Sequence, residues 1–213
     1  MRQELWETYR RIRLQIEARL AEFRAVGQKG SNPDLFAELA YCLLTPQARG
    51  RYALETVEHL RATGLLWHGT AEEIVPHLRR VRFRRKAEYL VRAREFFRAP
   101  DGTLRVREKL APWLRDPLAA RRWLVQHLLG MGYKEASHFL RNIGYGEDLA
   151  ILDRHILRRL VDHGVIQAMP RTLTPRRYEA LEQEMRAFAR RVGIPLAHLD
   201  LLFWYLGTGE VLK

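Results

Sequence analysis

The feature of this sequence that most limits its fold is the spacing of its apolar residues, which recur with the period of an α-helix along nearly the whole chain. No segment alternates apolar and polar residues over a useful length, as a half-buried β-strand would. The first helical face consists of Leu5, Trp6, Tyr9, Ile12, Ile16, Leu20 and Phe23. The sequence therefore predicts an all-α protein.

Proline and capping residues mark where several helices begin. Asn32-Pro33, Asp116-Pro117 and Thr174-Pro175 each predict a helix start, because proline fits the first helical turn and small polar side chains cap its free amides. Thr70 followed by Glu73 is typical of a capping box. These signals divide most of the chain into separate amphipathic helices.

Two further helices are predicted from periodicity, over 83–98 and over 194–206. The stretch from Arg98 to Arg107 is weakly patterned and could be a linker or only a loop. The polar side of the helix over 83–98 is predicted to consist of Arg84, Arg85, Lys86, Arg92 and Arg94.

Composition excludes several classes of protein. A chain of 213 residues with 47% hydrophobic composition can bury a core and form two small domains. It has no apolar run near the about 18 residues that a membrane span requires, and no secretory start. Cys42 is the only cysteine, so neither an internal disulfide nor a four-cysteine iron–sulfur or zinc site can form. We expect a monomeric cytoplasmic protein with no membrane partner.

The charge balance favours a polyanionic partner. The chain has 37 Lys and Arg against 25 Asp and Glu, a formal net charge of +12, which favours binding to nucleic acid. An arginine-rich coding bias is the alternative explanation. Only five of the basic residues are lysines, Lys29, Lys86, Lys109, Lys134 and Lys213. Each lysine is therefore a candidate for chemistry that needs a primary amine, since a guanidinium does not form a Schiff base.

A Gly-x-Gly turn lies between two predicted helices at 128–134. Gly130 and Gly132 permit positive φ and leave backbone N–H groups uncovered, and such amides at a helix start can bind a phosphate. The alternative is a tight helix connection without a ligand. Lys134 follows in the first turn of the next helix, where the helix dipole disfavours an ammonium group.

Asp153 follows an apolar run and opens another helix, nineteen residues after Lys134. It fits the N-cap of that helix, and this structural role is compatible with a chemical one. A carboxylate beside an amine nucleophile can displace a base from a deoxyribose, since the amine attacks C1′ and the anion stabilises the cationic sugar. Lys134 and Asp153 are therefore the candidate catalytic residues.

The hairpin Gly130-Met131-Gly132-Tyr133-Lys134, followed by Asp153 within 152–158, resembles the helix-hairpin-helix DNA glycosylase superfamily. The segments 133–144 and 207–213 are similar to the archaeal and thermophilic-bacterial 8-oxoguanine DNA glycosylase/AP lyases. The resemblance implies two helical domains with the hairpin at the interdomain cleft, one over 32–144 and one from 1–31 plus 145–213. It also implies excision of 8-oxoguanine from double-stranded DNA, then strand cleavage by β-elimination from a lysine Schiff base, without a cofactor.

The same resemblance assigns further contacts. Gln47 would fill the gap left by an extruded base, although an exposed glutamine in a turn is common. Gly130, Gly132 and His155 would contact the DNA backbone. The implied base pocket consists of Phe83, Met131, Trp204 and the C-terminal lysine, Lys213. Aromatic residues at these positions could equally be core, and a C-terminus is often frayed.

No histidine spacing typical of a metal site is present, so we expect no metal. Two other functions stay open. The same hairpin could belong to a non-catalytic DNA-binding module, or to a glycosylase that excises oxidised pyrimidines or alkylated purines.

Overall fold

The computed structural model describes residues 2–212 and confirms the all-α prediction. Across these residues the only strand-like pairing is an isolated bridge between Arg98 and Leu104. The helices are α1 (Arg2–Lys29), α2 (Asn32–Leu44), α3 (Gly50–Ala62), α4 (Leu65–His68), α5 (Ala71–Ile74), a 3-10 turn (Val75–Leu78), α6 (Arg85–Phe97), α7 (Val106–Leu110), α8 (Pro117–His127), α9 (Tyr133–Asn142), α10 (Arg154–Asp162), α11 (Pro175–Val192) and α12 (Leu196–Thr208). None of them has the length and apolar character needed to cross a membrane.

The predicted helix starts are found with one shift. Asp116 caps α8, Thr174 caps α11, and Thr70 forms its capping box with Glu73. Helix α2 is capped by Ser31 rather than by Asn32. The Ser31 hydroxyl accepts the Asp34 amide, and the Asp34 carboxylate accepts the Ser31 amide.

The predicted polar side of α6 is wrong at two positions. Arg84, Arg85 and Arg92 are exposed, but Lys86 and Arg94 are buried. The guanidinium of Arg94 donates to the carbonyl of Gly69 at 2.9 Å, which ends α4. Both basic groups tolerate burial because they donate to backbone carbonyls at helix ends and in loops.

Two hydrophobic clusters organise the chain. The first surrounds α2 and extends from Leu35 to Leu149, taking in α3 to α9. The second packs α1 against α10, α11 and α12, so residues from both ends of the chain share one core. The hairpin between α8 and α9 and the loop before α10 lie where the two clusters meet.

Candidate active site

A cleft of about 1120 Å³ opens at the junction of the two clusters. One wall consists of the loop between α2 and α3 and the cleft-facing side of α9, and the other of the start of α10, the inner side of α12 and the segment after it. Five of the predicted site residues line this cleft: Gln47, Lys134, Asp153, His155 and Trp204.

Lys134 projects into the cleft from the first turn of α9. Its Nζ donates to the Thr45 hydroxyl at 3.2 Å and lies 3.0 Å from Oε1 of Glu135. The other carboxylate oxygen of Glu135 accepts the Gly132 amide at 3.2 Å, which closes the first turn of the helix. The amine is thus held between a hydroxyl and a carboxylate, and no local sequence pattern indicates either contact.

Asp153 is the N-cap of α10, as predicted. Its Oδ1 accepts the amide of Ile156 at 2.8 Å, which fixes the orientation of the carboxylate. Burial raises the pKa of Asp153, although the Ile156 amide and the positive charge of Lys134 both oppose the rise. The carboxylate is therefore poorly solvated, so a nearby cation stabilises its ionised form more strongly than at an exposed site.

A buried hydrogen-bond network holds the segment that leads into Asp153. The Ala150 amide donates to Glu182 at 2.8 Å, and the Tyr178 hydroxyl donates to the Ala150 carbonyl at 2.6 Å and accepts the Leu152 amide at 3.1 Å. Glu182 in turn forms a two-pronged ion pair with Arg121, at 2.8 and 3.1 Å. Because Arg121 belongs to α8, this network ties the Asp153 segment to the hairpin that carries Lys134.

The inner end of the cleft contains an arginine and an aspartate that the sequence analysis missed. Nη2 of Arg141, on α9, lies 3.9 Å from Oδ2 of Asp200, on α12, and both side chains are buried. Burial raises the pKa of Asp200 to about 7; the Arg141 charge opposes the rise and the Asp153 charge adds to it. The available signal was an acidic residue within the otherwise apolar run 199–203.

The rim beside Trp204 is formed by α10 and the segment after α12. His155 packs edge-on against Trp204 with ring centroids 5.3 Å apart, and the indole Nε1 of Trp204 is buried with no hydrogen-bond partner within residues 2–212. Helix α12 ends with the cap residue Gly209, which has a φ of 80°, after which Glu210 pairs with Arg51 and Leu212 also lines the cleft. The segment therefore folds toward the base of α3.

Other predicted site residues lie apart from the cleft lining. Met131 is buried in the first cluster, whereas Phe83 is 54% exposed on the loop before α6. Gly130 has a φ of 83° and packs against Tyr89, and the amide of Gly132 is taken by Glu135 as described above. Lys213 lies outside the described residues.

The part of the chain that the structure describes contains no group of three or more His, Cys, Asp or Glu side chains able to hold a metal ion.

Comparison with known proteins gives consistent findings. The family model described as 8-oxoguanine DNA glycosylase matches residues 16–194. A relative from Fusobacterium nucleatum named 8-oxoguanine DNA glycosylase/AP lyase is 41% identical over 211 residues, covering 99% of this chain and 96% of the relative. A relative of the same name from Methanocaldococcus jannaschii is 38% identical, covering 93% of this chain and 91% of the relative.

Two solved structures share the fold. The 8-oxoguanine DNA glycosylase of Thermotoga maritima has a TM-score of 0.86 at 35% identity, over 100% of this chain and 98% of its own. The M. jannaschii 8-oxoguanine glycosylase/lyase in complex with 15mer DNA containing 8-oxoguanine also has a TM-score of 0.86 at 35% identity, over 100% and 99% of the two chains. The likeness extends over the whole chain in sequence and in fold.

Proposed function

The chain belongs to the 8-oxoguanine DNA glycosylase family, and we propose that Lys134 and Asp153 carry out its chemistry. It is a bifunctional enzyme that removes 8-oxoguanine from DNA and cleaves the strand at the resulting abasic site. The observation that supports the assignment is that both side chains line one cleft, close enough for the charge of Lys134 to act on Asp153.

In the first step the free amine of Lys134 attacks C1′ of the extruded nucleotide. The C1′–N9 bond breaks, and the base leaves with the bonding electrons and takes up a proton. The ammonium form must first lose a proton, and Glu135 Oε1 at 3.0 Å from Nζ is placed to accept it. As positive charge develops on the sugar, the poorly solvated carboxylate of Asp153 stabilises it.

The second step cleaves the strand. The lone pair of the bound nitrogen forms a C=N bond as the bond between C1′ and the ring oxygen breaks, and the ring oxygen keeps the bonding electrons and takes up a proton. The resulting protonated Schiff base acidifies the protons on C2′. Removal of one C2′ proton forms a C2′–C3′ double bond and expels the 3′ phosphate oxygen with its bonding electrons. The Schiff base formed by Lys134 is the electron sink for this elimination.

We propose double-stranded DNA containing oxidised guanine as the partner of a monomeric chain. The DNA would cross the cleft between a domain over 32–144 and a domain made of 1–31 plus 145–213, a division that the two hydrophobic clusters support. Gln47 would fill the gap in the duplex, Trp204 would contact the base, and the exposed ring of Phe83 would approach it. His155 would contact the phosphate backbone, and the buried Met131 would support the hairpin from beneath.

Borohydride trapping tests this mechanism, since it reduces a Schiff base to a stable covalent adduct. With an 8-oxoguanine duplex we expect an adduct for the wild type, none for Lys134→Gln, and a normal yield for Lys29→Gln, an exposed lysine at the end of α1. Faster processing of an oxidised-pyrimidine or alkylated-purine duplex would assign a different lesion. Failure to trap even a preformed abasic site would refute the Schiff-base mechanism, and a simultaneous lack of base release would indicate a DNA-binding module.

Asp153→Asn tests the role of the carboxylate. Asparagine also caps helices, so we expect the melting temperature to change little, while the loss of the anion slows base excision by about 10²-fold or more. Single-turnover excision and thermal unfolding measure the two effects. A normal rate per folded molecule combined with a large loss of stability would show that Asp153 is only a helix cap.

A further inference from the structure

Lys86 is a buried lysine whose three ammonium protons are all used within the protein. It lies on α6 with 2% of its surface exposed. Its Nζ donates to the carbonyl oxygens of Leu44 at 2.7 Å, Pro46 at 2.6 Å and Val81 at 2.5 Å. An ammonium group has three donors, so one side chain joins three backbone positions.

These carbonyls belong to two loops that border the cleft. Leu44 is the last residue of α2, Pro46 lies in the loop to α3, and Val81 lies in the loop between the 3-10 turn and α6. The first loop carries Gln47 and the second carries Arg82 and Phe83, and all three have positive φ, of 53°, 49° and 63°. Side-chain-bearing residues keep such a conformation only where surrounding contacts hold the backbone in place.

The same contacts bear on the catalytic amine. Thr45 lies between Leu44 and Pro46, whose carbonyls Lys86 holds, and its hydroxyl accepts a hydrogen bond from Lys134. The pKa of Lys86 is lowered to about 8, mainly by burial and to a smaller extent by the charge of Lys134, while the charge of Glu135 opposes the fall. The two lysines are therefore close enough to interact, and Thr45 lies between the two carbonyls that Lys86 binds while its hydroxyl accepts from Lys134.

We propose, on the basis of the function assigned above, that Lys86 is a positioning residue for this reaction. By holding both loops, its ammonium fixes the Thr45 hydroxyl against the amine of Lys134 and orients Gln47 and Phe83 at the mouth of the cleft. Lys86 does not touch the substrate. Its effect on the reaction passes through the backbone of the two loops.

Lys86→Met tests the proposal, because methionine fills similar space without donors. Lys109→Met is the matched control, since Lys109 also donates to a backbone carbonyl, that of Phe96, but lies outside the cleft lining. At saturating enzyme and below the melting temperature of every variant, we expect Lys86→Met to slow single-turnover excision and cleavage of a preformed abasic site by about 10- to 100-fold. Lys109→Met should stay within about twofold of the wild type.

A purely structural lysine would lower the melting temperature and leave these saturating rates unchanged, and that result would overturn the proposal. If Lys86→Met does not fold, Thr45→Val provides the test. A slower single-turnover rate in this variant supports a role of the Thr45 hydroxyl in positioning Lys134, and a wild-type rate overturns the proposal. Borohydride trapping of the wild type distinguishes a failure of the positioning role from a failure of the proposed function. If the wild type forms no adduct, the function fails, whereas equal trapping by the wild type and Lys86→Met removes only the positioning role.

Discussion

Breaking the buried ion pair between Arg121 and Glu182 should have two separable effects, on stability and on rate. Both side chains are almost fully buried, at 0% and 1% exposure. Arg121→Met leaves the Glu182 carboxylate with the Ala150 amide at 2.8 Å and Arg186 at 3.3 Å. Removing one partner of such a pair costs about 3 to 5 kcal/mol, which corresponds to a fall in melting temperature of about 6 to 20 °C at this chain length.

The double variant Arg121→Met, Glu182→Leu separates the two effects. Replacing both charges with apolar side chains is often neutral for stability, so we expect most of the lost melting temperature to return. The Ala150 amide, however, still lacks its carboxylate acceptor, and the segment that leads into Asp153 loses a fixed contact. Excision should therefore remain slow, by about 10-fold or more, even in the restored protein.

Thermal unfolding and single-turnover excision of an 8-oxoguanine duplex measure these effects on the same preparations. The exposed pair Arg13 and Glu17 on α1 provides the control, because solvent screens such a pair and Arg13→Met should change the melting temperature little. If the double variant recovers both stability and rate, the network serves stability alone. A cost below about 1 kcal/mol for Arg121→Met would contradict the burial argument itself.

Three shorter predictions concern the hairpin, the inner cleft and the surface. A Cβ at Gly130 would lie 2.2 Å from the Tyr89 ring, so Gly130→Ala should lower the melting temperature more than Gly102→Ala, which shares the positive φ but meets no neighbour within 4 Å; equal losses would contradict this. Asp200 has a pKa raised to about 7 from 3.8, so its contribution to stability is full below the lower value and is lost as the pH rises through the higher one. The melting-temperature advantage of Asp200→Asn over the wild type should therefore grow from about pH 4 to about pH 8, and a constant difference would refute the assigned shift. Affinity for undamaged duplex should fall about 10³-fold or more between about 50 and about 200 mM salt, and a flat response would make the net charge of +12 only compositional.

The helical fold, the cap at Asp153 and the position of Lys134 after the Gly-x-Gly turn could be predicted because each depends on a pattern within a short stretch of sequence. Helical periodicity and capping residues act within one or two turns, so the all-α class and the cap at Asp153 could be predicted. Lys134 stood out because it follows a Gly-x-Gly turn in a chain with few lysines. Its contact with Thr45 joins residues 89 positions apart, and no local pattern carries that information.

The buried polar residues that sequence analysis missed nevertheless have something in common. Each one lies on a buried helical face whose other residues are mainly apolar. A charged side chain there needs a partner from another part of the chain, because burying an unpaired charge destabilises the folded state. Arg121 forms an ion pair with Glu182, and Arg141 lies beside Asp200. Lys86 donates to three backbone carbonyls instead of pairing with a carboxylate.

This regularity suggests how such residues could be sought. When helical periodicity places charged residues on buried faces, residues of opposite charge on different helices are candidate ion-pair partners. A buried lysine that has no carboxylate partner is expected to bind backbone carbonyls at the end of a helix or in a loop. The second case is the more informative for function, because carbonyls without partners occur where helices end and loops begin. In this fold, helix ends and the loops beside them also border the cleft that contains the amine of Lys134, which we propose as the nucleophile. A buried lysine such as Lys86 therefore indicates where the proposed site lies.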